Sequence, residues 1–285
     1  MVRVSAGDHL FVQFDFSDYW NFDRERKSLE NCQCYQETLA NYDKAIEIQP
    51  NDYWVWYDRS NALQAMGYYA EAKLSLDRAI EIRPDDYWAW YSRGYLLLEE
   101  LDEFEAAIAS FDKALELRQD DFWSWYRRGD AYRHLQAYAE AIANYDRALS
   151  LRNDDFWVWF RRGDAYRYLG KYAEAILSYE ESLRIKPKSH LAWYKRAETL
   201  RLQGNYQTAI ASYEEAIALE PDDEYSWYNQ ACCAALLANE ELAIKALQKA
   251  IALNLYNSEF AKLDPDFDNI RDSDQFQLLV NEDNI

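Results

Sequence analysis

The sequence predicts an all-α solenoid of antiparallel helix pairs, on three observations. Trp56, Trp90, Trp125, Trp159, Trp193 and Trp227 follow one another at intervals of 34, 35, 34, 34 and 34 residues. A fixed period of that length marks repeated units that bury their apolar faces against their neighbours. Each tryptophan phrase is followed by a second phrase of the form Ala-Ile-x-x-Tyr-x-x-Ala, which sets small and apolar residues at i, i+3/i+4 and i+7 along one helix face. The 285 residues include only 7 Gly and 5 Pro, a scarcity of breakers that suits helices joined by short turns.

The first phrase begins at Asp52, Asp86, Asp121 and Asp155 (DYWVWYDRS, DYWAWYSRG, DFWSWYRRG and DFWVWFRRG), with looser copies at His190 and Glu224. Aspartates in these positions stand where a helix needs an N-cap, and acid there complements the helix dipole. Gly67, Gly170 and Gly204 fit the tight turn between the two helices of a unit, and Pro50, Pro84, Pro187 and Pro221 close the second helix.

With Trp, Gly, Tyr, Ala, Tyr, Ala and Pro in this order, the unit resembles the tetratricopeptide-repeat (TPR) family, and the tail of the chain resembles those that close bacterial members. In the unit at 156–189 the matching residues are Trp159, Gly163, Tyr166, Gly170, Tyr172, Ala175, Tyr179 and Pro187, with Ser182 where the family usually has Ala. The resemblance implies a right-handed superhelical solenoid. In it the first helix of each unit lines a concave groove, the second forms the outer wall, and a protein or peptide binds in the groove.

The tryptophan register divides residues 19–257 into seven repeats, at 19–52, 53–86, 87–121, 122–155, 156–189, 190–223 and 224–257. The first is degenerate, with Phe22 at the tryptophan position, and the third carries one extra residue near 101–104 that should lengthen its turn. Terminal repeats need caps. Residues 258–285, with Phe267, Ile270, Phe276, Leu278 and Leu279 among acids, read as a loop and a short helix near 273–281 that seals the last repeat. The aromatic segment 1–18 either seals the first repeat or lies as an extended strand in the groove.

The balance of 31 basic and 51 acidic residues gives a net charge of −20, which repels phosphate backbones and anionic membranes. Nucleic acid is therefore not an expected partner. No stretch reaches the apolar length of a membrane span, and residues 1–20 lack the apolar run of a signal peptide. Cys32 and Cys34 lie far in sequence from Cys232 and Cys233, an arrangement unlike a disulfide framework, so a reducing, cytoplasmic setting is expected. His9, His134 and His190 are scattered, with no metal or triad spacing, and no phosphate-binding glycine loop is present. The chain is not expected to be an enzyme or to need a metal or cofactor.

The recurring tryptophan is expected in the core. Two residues before it runs a second aromatic column, Trp54, Trp88, Trp123 and Trp157, then Leu191 and Tyr225; one residue after it runs a third, Tyr57, Tyr91, Tyr126, Phe160, Tyr194 and Tyr228. Their offset of three puts both columns on one helix face, which by the resemblance looks into the groove. Beyond them Arg127, Arg161 and Lys195, and then Arg133, Arg167 and Arg201, form two basic columns flanking the acids Asp130, Asp164 and Glu198. Self-pairing of these charges is one expectation. The other is a basic, ring-bearing strip for a peptide with carboxylates and apolar side chains, since a guanidinium reads a carboxylate with two parallel donors. The two-carboxylate clamp of chaperone-binding relatives is not expected: its lysine position holds Tyr or Phe, and only Asn61 matches. The competing expectation is a structural subunit that associates, with itself or others, through its outer wall or ends.

Overall fold

The computed structural model describes residues 29–281. The segment 1–18 and the start of the degenerate repeat lie outside the described residues, and so do the side chains of Cys32 and Cys34. Every regular element among the described residues is helical. The helices fall into two compact units divided after Asp102. The first contains α1 (Leu29–Ile48), α2 (Tyr53–Ala65), α3 (Tyr69–Ile82) and α4 (Tyr87–Glu99). The second opens with α5 (Phe104–Leu117), followed by α6 (Phe122–His134), α7 (Tyr138–Leu151), α8 (Phe156–Tyr168), α9 (Tyr172–Ile185), α10 (His190–Leu202) and α11 (Tyr206–Leu219). It closes with α12 (Glu224–Leu236), α13 (Glu240–Leu253), α14 (Tyr256–Leu263), a 3-10 turn (Pro265–Phe267) and α15 (Asp274–Asn281).

Local chemistry starts and stops these helices where the sequence predicts. Asp86 accepts from the Ala89 amide at 3.1 Å, and Asp155 from the Trp157 and Val158 amides at 2.9 and 3.1 Å. Ser189 caps α10 in the same way. The turns inside the helix pairs are Schellman turns: Gly170 N–H donates to Arg167 and Lys171 N–H to Tyr166, which satisfies carbonyls the helix end would leave open. They need a left-handed residue, and Gly67, Gly170 and Gly204 have φ of 78°, 72° and 83°.

Gln136 and Ala238 take the same place with φ of 59° and 54°, at the steric cost an L-residue meets there. Ala238→Gly should therefore raise stability by about 0.5–1 kcal/mol, since relief of the Cβ clash outweighs the added freedom of the unfolded chain. A urea midpoint that stays put or falls would contradict this.

In the second unit each first helix packs on its own second helix and on the second helix before it. Consecutive first helices, α6 with α8, α8 with α10 and α10 with α12, also touch, whereas consecutive second helices make no comparable contact. The tighter approach draws the first-helix side of this unit inward.

The recurring tryptophans pack against the edge of the core and not at its centre. The second helices supply the fully buried rings Phe111, Tyr145, Tyr179 and Tyr213, around alanines such as Ala141, Ala175 and Ala209, and Tyr53 of α2 is as deeply buried. The expectation of core tryptophans is corrected: each is only partly buried, because its indole N–H reaches back to the loop before its helix. Trp56, Trp90, Trp193 and Trp227 donate to the carbonyls of Pro50, Pro84, Pro187 and Pro221 at 2.8–2.9 Å. Trp125 and Trp159 donate to Gln119 and Asn153 at 2.7 and 2.9 Å. The tryptophan thus pins the loop between units.

A second tie went unread in the sequence. Arg162 bonds Asp146 at 2.6 Å and Ser178 at 2.9 Å, and Arg196 bonds Glu180 at 2.7 Å and Ser212 at 2.5 Å. Arg128 meets Asp112 and Asn144 in the same way, and Arg59 meets Asp43 and Ser75. Each arginine thereby joins its own first helix to the two second helices beside it, with partners always 16 residues before and after. The signal was legible as a fixed offset between the two phrases. The guanidinium also lies over the tryptophan ring three residues earlier, 4.4 Å from the Trp125 centroid and 5.2 Å from that of Trp159.

At the C-terminal end, α15 agrees with the short helix expected near 273–281, and Phe267 and Phe276 are buried. Residues 256–263 form a helix where a loop was expected. Its contact with α13 supplies the stability that eight residues lack alone.

Candidate functional site

The four rings of the phrase Asp-Phe-Trp-Val-Trp-Phe separate onto different sides of the first helix. In α8, Phe156 and Phe160 stack at 5.8 Å and 19° and are buried, as i and i+4 residues must be when their common side meets the neighbouring helix. Tyr87 and Tyr91 in α4 stack in the same way, and Phe122 and Tyr126 in α6 meet at the same offset with their rings tilted by 35°. The expectation that the third column faces the groove is corrected here. Tyr91, Tyr126 and Phe160 are buried at 3 %, 7 % and 2 % exposure, and Tyr57 and Tyr194 are half-buried. The column that pairs with them, Tyr53, Tyr87, Phe122 and Phe156, was missed, although its i, i+4 offset was in plain view.

The second column does reach solvent. Trp54, Trp88 and Trp157 are 42 %, 40 % and 45 % exposed, Leu191 and Tyr225 continue the row as exposed residues, and Trp123 is half-buried. Each tryptophan stands edge-on to the buried ring before it, Trp157 at 5.0 Å from Phe156. Arg161 lies 5.9 Å over the Trp157 ring, and Arg152 lies 5.0 Å from Trp123. In the second unit, Trp123, Trp157, Leu191 and Tyr225 therefore line successive first helices that touch one another.

The charges beside this row sit deeper than expected. Arg127, Asp130 and Asp164 are buried, and Arg133, Arg161, Arg167, Lys195 and Arg201 are partly buried. Asp130 accepts from the Tyr145 hydroxyl and Asp164 from the Tyr179 hydroxyl, both at 2.8 Å, so each acid is anchored from the core side. Burial pushes the Asp164 carboxyl above its ordinary value, against the opposing pull of the Tyr179 hydrogen bond, Arg161, Arg167 and Lys195. Burial likewise raises the Tyr179 hydroxyl, with Asp164 adding to it.

Some self-pairing is present, and its geometry differs along the row. Lys195 bonds Glu198 and Arg201 bonds Asp266, each at 2.9 Å. Arg127 and Arg133 stand 3.6 and 3.7 Å from Asp130, Arg161 is 3.9 Å from Asp164, and Arg167 is 3.8 Å from Glu198. The last four separations exceed hydrogen-bond length. The Nε atoms of Arg133, Arg161 and Arg167 are buried without a hydrogen-bond acceptor. Arg127, Arg133, Arg161, Arg167, Lys195 and Arg201 stand within 4 Å of Asp130, Asp164, Glu198 or Asp266.

Among the described residues one group has metal-ligand character: Cys232, Asp264 and Asp266. Arg201 already holds Asp266, and the Tyr228 hydroxyl donates to Asp264 at 2.9 Å. Burial pushes the Cys232 thiol far up, and that of its neighbour Cys233 to about 12. A protonated thiol beside satisfied carboxylates is a packing cluster. No described helix is long and apolar enough to cross a membrane.

Stacked helix pairs tied by periodic side chains define an all-α repeat scaffold. The chain belongs to the tetratricopeptide-repeat family: one family model matches residues 57–122, 160–224 and 203–258, which together span more than half of the chain, and a second matches 120–188. A protein prenyltransferase alpha subunit repeat model matches 35–66. No curated protein matches the sequence. Among solved structures, the C-terminal part of a TPR repeat-containing protein from Cytophaga hutchinsonii superposes with a TM-score of 0.67 at 16% identity, covering 85% of this chain and 97% of its own. YrrB, a TPR protein with an unusual peptide-binding site, gives 0.59 at 23% identity, covering 66% of this chain and 98% of its own. A MamA fragment from Desulfovibrio magneticus RS-1 gives 0.57 at 19% identity, covering 60% and 96%. At these identities the likeness establishes the fold alone.

Proposed function

We propose that the chain is a non-catalytic protein-interaction scaffold that holds a partner peptide on the first-helix face of its second unit. The observation that carries this is the Trp157 neighbourhood. An indole 45 % exposed stands beside Arg161, whose nearest carboxylate lies beyond hydrogen-bond reach, and Arg167, further along the same helix, is likewise held off its nearest carboxylate. Exposed aromatic rings next to arginine are the residue types that dominate binding energy. Guanidiniums such as those of Arg161 and Arg167, held beyond hydrogen-bond distance from their neighbouring acids, favour added carboxylates. The matched ligand is an extended peptide with acidic and apolar side chains. The peptide-binding site named for YrrB accords with such a role. The division of residues 19–257 into seven repeats, and a cytoplasmic setting in which the buried thiols stay reduced, belong to the same proposal.

The test uses a fluorescent synthetic peptide of phenylalanine, serine and aspartate, and a counterpart with lysine for aspartate. The acidic peptide is expected to bind the wild-type chain and the lysine form not. Arg161→Glu with Arg167→Glu should weaken the acidic peptide at least about 10-fold, and added salt should weaken it further. Equal affinity for both peptides, or for both proteins, overturns the proposal.

One observation favours the alternative of association through an end. Tyr256, Phe260 and Leu263, at i, i+4 and i+7 of α14, are 74 %, 63 % and 86 % exposed. Association there would raise the light-scattering mass with concentration and would be indifferent to the two arginine reversals.

A further inference from the structure

Resting on the proposed peptide-binding face, we infer that its ligand is a peptide of mixed charge, with carboxylates at Trp157 and a lysine or arginine at the neighbouring position of the row, Leu191. The charge beside the exposed row changes sign between these two residues. The loop that leaves a second helix begins with a charged side chain that packs on the rings opening the first helix of the same pair. In the first unit Arg83 lies 4.8 Å from the Tyr53 centroid and 5.6 Å from that of Trp54. In the second unit Arg152 lies 3.8 Å from Phe122 and 5.0 Å from Trp123. Lys186 lies 5.6 Å from Phe156, the ring that abuts Trp157. At the same places 34 residues further on, His190 replaces the ring and Glu220 replaces the cation. The two still meet, with His190 Nδ1 3.4 Å from the Glu220 carboxylate. The fold keeps a charge at this place and inverts it.

The loops around these residues sharpen the contrast. Lys186 and Lys188 flank Pro187, and both are exposed. Among the described residues neither forms an ion pair, whereas Arg152 is held by Asp155 at 2.6 Å. Glu220 and Asp222 flank Pro221 in the following loop, both exposed, and the Glu220 side chain is 63 % open to solvent. Trp157 is thus bracketed by Arg161 and Lys186, and Leu191, 41 % exposed, has Glu220 and Asp222 beyond its end of α10.

Spacing suits one ligand spanning both. The helices α8 and α10 touch, and helices in contact lie about 8–10 Å apart. An extended chain rises about 3.3 Å per residue, so ligand residues three apart address successive first helices, in either chain direction. An all-acidic peptide that covers Trp157 and Leu191 sets one of its carboxylates toward Glu220 and Asp222, where like charges repel. A base there is attracted instead.

Two labelled synthetic peptides are titrated into the full chain by fluorescence anisotropy. One repeats Phe-Asp-Ser four times; the other carries Lys for Asp in its last two repeats. The mixed peptide is expected to bind about 10-fold more tightly than the acidic one at low salt, and added salt should shrink the difference. Glu220→Lys with Asp222→Lys should reverse the order. That variant leaves Asp223, the cap of α12, in place, and circular dichroism checks its helix content. Should the reversal disturb folding, Glu220→Gln with Asp222→Asn keeps the side-chain shapes and should bring the two peptides to equal affinity.

If the acidic peptide binds the wild type as tightly as the mixed one, or if the loop variants leave the preference unchanged, the mixed-charge ligand is overturned and the proposed binding face stands. If neither peptide binds, both fail together.

Discussion

Gly163→Ala will destabilise the second unit by about 1–3 kcal/mol, although helix propensity alone says the opposite. Alanine in place of glycine in a helix interior normally stabilises by about 1 kcal/mol. Here an added Cβ would stand 2.7 Å from Cε1 and 2.9 Å from Cδ1 of Tyr179. That ring is fully buried, and its hydroxyl is bonded to Asp164, so it has no direction in which to retreat without giving up a hydrogen bond in the interior. Gly129 meets Tyr145 with the same geometry. Urea unfolding followed by circular dichroism measures the effect; a rise in the midpoint for Gly163→Ala would mean that α8 and α9 are further apart than described.

Trp157→Ala and Trp159→Ala, two residues apart, should fail in opposite ways. The Trp157 ring projects from α8, and its loss should cost about 1 kcal/mol of stability through the edge contact to Phe156. Affinity for the acidic peptide should fall by about 2 kcal/mol or more, roughly 30-fold, as for a ring at the centre of an interface. Trp159 holds the Asn153 carbonyl at 2.9 Å and underlies Arg162. Its removal should cost about 2–3 kcal/mol of stability and leave the affinity of the folded fraction nearly unchanged. Fluorescence anisotropy of the labelled peptide, read beside thermal melts, separates the two. Interchanged results would place the binding surface on the wrong side of α8.

The contrast between these tryptophans shows where the sequence stopped being informative. The second helices carry a clear apolar stripe, and their buried positions, such as Ala175 and Tyr179, follow from spacing alone. The first helices carry rings on all sides. In Asp-Phe-Trp-Val-Trp-Phe the helix period fixes the angles between Phe156, Trp157, Trp159 and Phe160, but an all-round aromatic helix offers no polar face to identify solvent. The second column was therefore placed outward in agreement with its exposure, while the third column, placed in the groove, is packed inside, and the repeating tryptophan, placed in the core, lies at its edge against the loop before its helix. The charges raise the same difficulty. Arg161 and Asp164 are three apart and so are Arg167 and Asp164, yet Arg167 stands nearest to Glu198 on the following first helix, a choice made by how neighbouring repeats meet.

Sequence by itself determined the period, the caps at Asp86 and Asp155, the glycine turns at Gly67, Gly170 and Gly204 and the family, because each rests on interactions within a few residues or on plain recurrence. Tertiary structure decided which rings are core and which are surface, that Arg162 ties three helices together, and that Asp164 is held from behind by Tyr179. Those outcomes depend on the approach of one helix to the next, and the free energy of burial belongs to the contact between them and to neither segment alone.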